Sequence, residues 1–220
     1  HPGPASRYFN REGRYGEGGA YRDPNSPYRS WYDFDPKYKG GYRSWWGFET
    51  LPEVNEETPS FVEFITGEGG VIDTWLRRGA AGFRLDVADE LPGDFIEGIR
   101  SAIDAEKPGA YLLGEVWEDG SNKIAYSRRR KYLLGRETHG LMNYPFRTAL
   151  LPYLAGTSGA EDFRDAMETI RENYPSPAFY GAMNFLSTHD TPRAINAILD
   201  PRDGDRTDLA QRHFTQEQLR

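Results

Sequence analysis

From residue 58 onward, short apolar runs alternate with stretches that have the periodicity of amphipathic helices. The apolar runs are GFRLDVA (82–88), AYLLGEVW (110–117) and AMNFLSTHD (182–190), and the spacing of large apolar residues predicts a helix over 93–106. Neighbouring parallel strands need a connection of about a dozen residues, which a helix usually supplies. The alternation therefore predicts an α/β fold built on a parallel sheet.

Local signals predict further elements around these runs. A capping box, Ser60 with Glu63, predicts a helix that continues to Gly79 and is interrupted by the glycines at 67, 69 and 70. A second capping box, Ser158 with Glu161, predicts the start of another helix. The remaining predicted elements are a polar helix over 121–134, a short strand within 140–146 and a helix over the last 20 residues.

The first 57 residues differ in composition from the rest of the chain. They are rich in Gly, Pro, charged residues and aromatic side chains. We assign 1–57 to a loop-rich, subdomain-like segment and 58–220 to the α/β portion, because turn formers dominate only the first of these. Exposed aromatic rings on loops suit the apolar faces of sugars, but aromatic rings also pack loops together. Composition alone favours the packing interpretation.

Composition excludes several classes of function. The net charge of −7 argues against a nucleic-acid or anionic-membrane partner, and the basic run SRRRK (127–131) reads as a solvated helix face. The absence of cysteine excludes disulfides and thiolate metal sites. No apolar run approaches the roughly 18 residues of a membrane helix, so we expect a soluble protein, cytoplasmic or secreted. The chain begins at His1, and we expect both ends to continue in a longer protein.

Acidic residues follow the apolar runs at equivalent places. Asp86 and Glu115 each close a predicted strand, and His189 and Asp190 close a third apolar run. The carboxyl ends of parallel strands form the face that carries active sites. Neighbouring strands lie roughly 4.8 Å apart, so Asp86 and Glu115 are expected to face each other. Arg84 precedes Asp86 by two residues and is expected on the same side of the strand.

Two close carboxylates fit retaining glycoside hydrolysis, in which one is the nucleophile and the other the general acid and base. A cation at Arg84 favours the ionised form of Asp86 that a nucleophile requires. Two alternatives remain open at this point. The Arg84–Asp86 pair is equally well explained as a structural ion pair, and Asp86, Glu115, His189 and Asp190 are possible ligands of a divalent metal, although the other three histidines lack ligand-like spacing.

Five short motifs resemble a known family of glycoside hydrolases, and together they span most of the chain. GFRLDVADELP (82–92), GEVW (114–117) and FLSTHD (185–190) resemble, in order and spacing, motifs of the alpha-amylase family. YRSWWGFETLPEVN (42–55) and LMNYPF (141–146) are similar to its neopullulanase, cyclomaltodextrinase and maltogenic amylase branch. The resemblance implies a partial (β/α)8 TIM barrel, roughly strands four to seven, with residues 1–57 inserted after strand three.

The resemblance also implies roles for the residues that carry the chemistry. Asp86 would be the nucleophile that forms a covalent glucosyl intermediate, and Glu115 the general acid and base. Asp190 would bind the sugar hydroxyls and stabilise the distorted sugar of the transition state. Arg84 would orient Asp86. These roles add a function for Asp190 that spacing alone does not provide.

A further set of residues would bind the substrate. His189 would contact the same sugar as Asp190, and Trp117 would line the side of the leaving group. The motifs of the narrower branch add Asn143, Tyr144 and Trp45 as sugar-binding residues. The implied partner is an α-glucan, and no cofactor is expected, although many relatives bind calcium.

The implied reaction is the hydrolysis of α-glucosidic bonds in starch-type glucans, pullulan or cyclodextrins. The alternatives are a transglycosylase of the same family and a non-catalytic carbohydrate-binding fragment. Because strands one to three and eight of the barrel have no counterpart in the sequence, we expect a catalytic-domain fragment that is inactive or weakly active by itself.

Overall fold

The computed structural model describes residues 3–200, and the helix expected over the last 20 residues lies outside them. The chain divides into two compact units, the first ending at Arg78 and the second beginning at Gly79. No helix in the described part of the chain combines the length and apolar character needed to cross a membrane. The division expected after residue 57 stays a prediction.

The first unit is a loop-rich segment followed by a broken helix. Its 3-10 helices are Arg29–Trp31, Lys39–Gly41 and Trp45–Gly47, and its α-helices are α1 (Pro59–Thr66) and α2 (Val71–Arg77). The glycines between α1 and α2 interrupt the helix as the sequence predicts, and Gly79, with φ +104°, follows its end.

Aromatic rings form the core of the first unit. The buried ring of Phe9 contacts Tyr32 and Tyr42 at centroid distances of 4.8 and 4.7 Å and lies parallel to Phe34. Trp31 packs in a second group with Phe61. For these residues the packing interpretation of the aromatic content is therefore correct.

The second unit is built on a parallel sheet. Its strands are β1 (Gly82–Leu85), β2 (Tyr111–Gly114) and β5 (Gly140–Leu141), in the order β1-β2-β5. A side chain at Gly82 would place its Cβ 2.0 Å from the carbonyl oxygen of Tyr111, so glycine allows the close approach of the first two strands. The parallel sheet predicted from the alternation is confirmed.

Helices connect and follow the strands of this sheet. α3 (Gly93–Glu106) connects β1 to β2 where the sequence predicts it, with Ile96, Ile99 and Ile103 buried on one face. The helices that follow β5 are α4 (Tyr144–Leu154), α5 (Ala160–Asn173), α6 (Ser176–Tyr180) and α7 (Ala194–Leu199). α4 and α5 pack together through Phe163, which lies parallel to Tyr153 at 5.7 Å.

The polar helix expected over 121–134 is wrong. This stretch contains a two-stranded antiparallel hairpin, β3 (Ile124–Ala125) and β4 (Arg128–Arg129). Its two turn residues, Tyr126 and Ser127, have φ values of +50° and +61°. Such turns usually contain Gly, Asn or Asp, so the sequence carries no signal for this one.

Both capping boxes are also wrong in detail. Thr58 is the N-cap of α1, and the Ser60 hydroxyl inside that helix accepts a hydrogen bond from the indole of Trp31 at 3.0 Å. Gly159 is the N-cap of α5, and its N–H donates to Asp162 at 2.8 Å. Ser60 therefore binds Trp31 instead of capping α1. At α5 the carboxylate of Asp162, and not that of Glu161, pairs with the N-cap residue.

The third apolar run forms less structure than expected. Within 182–190, Met183 makes a parallel bridge with Met142, and the chain then leaves the sheet as a loop. The predicted strand within 140–146 covers only β5, because α4 begins at Tyr144. Arg147 on α4 donates to the carbonyl oxygens of Leu186 and Pro192 at 3.0 and 3.2 Å, and these bonds fix the loop.

Candidate active site

The carboxyl ends of β1 and β2 carry the first two candidate residues side by side. The register pairs Leu85 with Gly114, so Asp86 and Glu115 follow their strands at the same level. The N–H of Glu115 donates to the Leu85 carbonyl at 2.9 Å, and the N–H of Ala88 donates to the Glu115 carbonyl at 3.1 Å. Backbone hydrogen bonds therefore continue past the last residue of each strand and position both carboxylates.

The guanidinium of Arg84 joins the two carboxylates. Nη1 lies 2.6 Å from Oδ1 of Asp86, and Nη2 lies 3.2 Å from Oε2 of Glu115. Nε completes the arrangement by donating to the thioether sulfur of Met142 at 3.2 Å. The expected pairing of Arg84 with Asp86 is present, and the same cation also neutralises charge at Glu115.

Glu115 is almost completely buried and both of its carboxylate oxygens receive hydrogen bonds. Its side chain is 5% exposed, whereas that of Asp86 is 68% exposed. Oε2 also accepts the N–H of Val87 at 2.7 Å, and Oε1 accepts the indole N–H of Trp117 at 3.1 Å and the Tyr144 hydroxyl at 3.5 Å. The two carboxylates thus differ in their access to solvent: Asp86 is open and Glu115 is enclosed.

The residue that follows Asp86 has an unusual backbone conformation. Val87 lies in the left-handed region, with φ +44° and ψ +55°. A β-branched residue is strained there, at a cost of about 1–2 kcal/mol. This conformation belongs to the same residue whose N–H donates to Glu115. Strain of this kind occurs where surrounding contacts fix a functional geometry.

Two aromatic side chains form one wall of the site. The rings of Trp117 and Tyr144 are parallel, with centroids 4.6 Å apart, and Phe185 meets Tyr144 edge-on. Trp117 is half exposed, while Tyr144 is buried. Burial raises the pKa of Tyr144; the negative charges of Glu115 and Asp190 raise it further, against a hydrogen bond with Thr188 that lowers it. The Tyr144 hydroxyl therefore stays protonated and donates a hydrogen bond to Glu115.

Asp190 and His189 lie in the loop that follows the Met183 bridge. Nε2 of His189 is 3.0 Å from Oδ2 of Asp190, and the N–H of Asp190 donates to the Thr188 hydroxyl at 3.1 Å. Asp190 is near enough to Tyr144 to act on its pKa. The structure therefore brings these two residues to the same end of the sheet as Asp86 and Glu115.

Two further candidates have other surroundings. Asn143 caps α4 by accepting the N–H of Phe146 at 3.1 Å, and its amide donates to the side chain of Asn184 at 2.8 Å. These hydrogen bonds give Asn143 a structural role, and its sugar-binding role stays a prediction. Trp45 lies in the first unit, where its ring is parallel to that of Trp46 at 5.0 Å. Trp46 is 73% exposed, so this pair presents a flat aromatic surface.

The metal alternative has little support in the chemistry of the donors. Among residues 3–200, no group of three or more His, Asp or Glu side chains is arranged to hold a metal ion. The lone pairs of Glu115 are directed at N–H and O–H donors, and a guanidinium cation lies beside both carboxylates. The expectation that no cofactor is required stays a prediction.

Sequence reasoning missed several residues that shape this site. Met142 receives a hydrogen bond from Arg84, and Val87 contributes only its backbone, so neither carries a recognisable signal. Thr188 precedes Asp190 by two residues, which is the spacing of a local Ser/Thr turn and therefore a usable signal. Lys123 lies at the base of the β3–β4 hairpin and pairs with Asp89. The sequence gives no signal for it, because the hairpin itself was not predicted.

The sequence of the chain matches a known family and is similar to several known proteins. Residues 8–213 match the alpha-amylase catalytic domain. The chain is 35% identical to an amylopullulanase of Thermoanaerobacterium saccharolyticum over 87% of its own length and 16% of that protein. It is 32% identical to a cyclomaltodextrinase of Geobacillus thermopakistaniensis over 66% of its length and 23% of that protein.

Solved structures show the same fold. A debranching enzyme from Nostoc punctiforme superposes with a TM-score of 0.65 at 25% identity, covering 81% of this chain and 42% of the other. The chain thus spans less than half the length of these relatives. The family match includes the ends of β1 and β2 and the loop that carries Asp190. The chain belongs to the alpha-amylase catalytic-domain family.

Proposed function

We propose that the protein containing this chain hydrolyses α-glucosidic bonds of starch-type glucans, pullulan or cyclodextrins with retention of configuration. The observation that carries the proposal is the contrast between Asp86 and Glu115, which share one guanidinium but differ in exposure. Retaining hydrolysis uses an accessible carboxylate as the nucleophile and a second carboxyl group as the acid and base. The names of the relatives, which include pullulan- and cyclodextrin-acting enzymes, support the same substrate class.

In this mechanism Asp86 attacks the anomeric carbon and the bond to the leaving oxygen breaks, while Glu115 transfers its proton to that oxygen. Arg84 binds Oδ1 of Asp86 and holds this carboxylate in place during the attack. Glu115 then removes a proton from water, which attacks the glucosyl–Asp86 ester and restores both carboxyl groups. Each step inverts the anomeric carbon, so the product keeps the α configuration.

The remaining candidates bind and orient the sugar. Asp190 accepts hydrogen bonds from its hydroxyl groups with His189 beside it. Trp117, half exposed next to Glu115, offers a ring face on the side of the leaving group. We also propose that β1, β2, β5 and the Met183 bridge correspond to strands four to seven of the barrel, because they are parallel and each lies beside the next.

Replacement of Glu115 by Gln in the full-length protein tests the proposal. We expect kcat on starch to fall about 10³-fold, because the leaving oxygen receives no proton. Azide is expected to restore turnover only of substrates with good leaving groups, giving an α-glycosyl azide. Glu168→Gln, at an exposed glutamate on α5, is the matched control and is expected to keep wild-type activity. Undiminished starch hydrolysis by Glu115→Gln contradicts the assignment.

Product analysis by proton NMR separates the remaining alternatives. The first-formed product is expected to be the α anomer. Longer oligosaccharides that accumulate at high substrate concentration would identify a transglycosylase, because a sugar hydroxyl then replaces water. Binding of glucans without any turnover would identify a non-catalytic protein, although both Asp86 and Glu115 are present in the chain.

A further inference from the structure

The segment ADE (88–90), which begins two residues after the candidate nucleophile Asp86, forms a 3-10 helix whose acids have partners outside the site. Oδ1 of Asp89 accepts the Tyr132 hydroxyl at 2.6 Å, and Oδ2 of Asp89 forms an ion pair with Nζ of Lys123. Asp89 therefore serves a different purpose from Asp86, although only three residues separate them.

Lys123 reaches a second carboxylate as well. Its Nζ also forms an ion pair with Oε2 of Glu118, and its side chain is only 16% exposed. Asp89 lies three residues after Asp86, and Glu118 lies three residues after Glu115. One ammonium group thus connects the loop that leaves β1 with the loop that leaves β2.

The rest of the hairpin binds the same 3-10 helix. Arg130, which is buried, donates to the carbonyl oxygens of Ala88 and Leu91 at 3.1 and 2.7 Å. Its own N–H donates to the carbonyl oxygen of Lys123 at 2.8 Å, closing the base of the hairpin. The hairpin therefore provides a rigid support from which Lys123 reaches both loops.

We propose that Lys123 is a positioning residue that sets the spacing of Asp86 and Glu115 by joining Asp89 to Glu118. This inference rests on the proposed function of the two carboxylates. The Asp86 side chain is largely exposed, so its position depends on the backbone that carries it together with its bond to Arg84. Without the ammonium group, the carboxylates of Asp89 and Glu118 would repel each other and the two loops would separate.

Separation of the two loops is expected to lower the reaction rate more than it weakens substrate binding. A shift of about 1 Å in a catalytic group costs up to roughly a hundredfold in rate. Sugar contacts from the loop of Asp190 would remain, since Arg147 fixes that loop independently. The expected signature is therefore a lower kcat with an almost unchanged KM.

Lys123→Met and Lys123→Arg in the full-length protein test the inference. Methionine keeps most of the side-chain length and removes the charge, whereas arginine keeps a cation that can bind both carboxylates. We expect Lys123→Met to lower kcat about tenfold with KM within twofold, and Lys123→Arg to recover most of the loss. The matched control is Arg171→Met, which removes an exposed cation paired with Glu168.

Amide hydrogen exchange provides a readout that does not depend on activity. The N–H groups of Val87 and Ala88 donate to Glu115, so they are expected to exchange at least several-fold faster in Lys123→Met and at the wild-type rate in Arg171→Met. Wild-type kinetics and exchange in Lys123→Met overturn the inference, as does a loss that Lys123→Arg does not reverse. A wild-type protein without α-glucan turnover overturns the proposed function instead, and the exchange rates then decide whether Lys123 joins the loops.

Discussion

Individual residues at this site combine structural and chemical tasks. Arg84 contacts two carboxylates and a thioether, so a structural ion pair and the proposed orientation of Asp86 by Arg84 are one and the same interaction. The two interpretations that the sequence left open are therefore not exclusive. Glu115, with donors on both oxygens, shows how a buried carboxylate is accommodated when every lone pair has a partner.

We expect His139 to make the stability of the protein depend on pH. Its Nδ1 accepts the N–H of Leu112 at 3.0 Å, which requires that this nitrogen carry no proton. Burial lowers the pKa of His139, the positive charge of Arg100 lowers it further, and Asp104 opposes this only partly. The unfolded chain therefore binds a proton more readily than the folded chain, and the stabilisation is present above about pH 6.5 and is lost as the pH falls through the folded pKa.

We expect His139→Gln to flatten the pH dependence of the free energy of unfolding, because glutamine does not titrate. The measurement is urea denaturation of the wild type and the variant at pH 7, 6 and 5. The wild type is expected to lose more stability than the variant between pH 7 and 5. Parallel losses in the two proteins would show that His139 does not cause the acid sensitivity.

At the scale of the elements, the sequence predicts the helices and strands whose conformation depends mainly on their own residues. The helix over 93–106 has its apolar residues at helical spacing and forms as expected. The hairpin around Tyr126 and Ser127 could not be predicted, because two residues other than glycine adopt positive φ values. In the same way, no local pattern reveals that Met183 makes only a bridge to Met142. Tertiary contacts decide these segments.

The element Trp45–Gly47 carries the aromatic surface of the first unit. Trp45 lies parallel to the exposed Trp46, and Phe48 lies nearly parallel to Trp45 at 6.2 Å. Rings arranged in this way offer apolar faces to the C–H groups of a sugar. We expect Trp45→Ala to weaken the binding of amylopectin severalfold, measured by the retardation of the protein in affinity gel electrophoresis.

Trp75→Ala is the matched control for this measurement. Trp75 is also exposed in the first unit but lies on α2, beside the cation of Arg78. Its removal is expected to leave the retardation unchanged. Equal retardation of the wild type and both variants would remove Trp45 from the substrate-binding residues.

At the scale of the whole molecule, topology explains why the candidate site could be predicted better than its surroundings. Parallel strands bring their carboxyl ends to one edge, so Asp86 and Glu115 had to meet once the strands were neighbours. No such rule places Lys123 or the N–H of Val87, which reach the site from a hairpin and from a strained backbone. The residues proposed to do the chemistry are thus more visible in the sequence than those proposed to position them.

A whole-molecule measurement separates the carboxylate mechanism from metal-assisted hydrolysis. In the proposed mechanism the nucleophile is Asp86 itself and the proton comes from Glu115, so no step requires a Lewis acid. We expect kcat on a cyclodextrin to remain within twofold of its initial value after exhaustive treatment with EDTA, at a temperature well below the midpoint of unfolding. The midpoint is measured on the same samples, because a calcium ion that supports the fold would lower it without entering the reaction. Loss of kcat at an unchanged midpoint, restored by a divalent ion, would instead favour a metal held by Asp86, Glu115, His189 and Asp190.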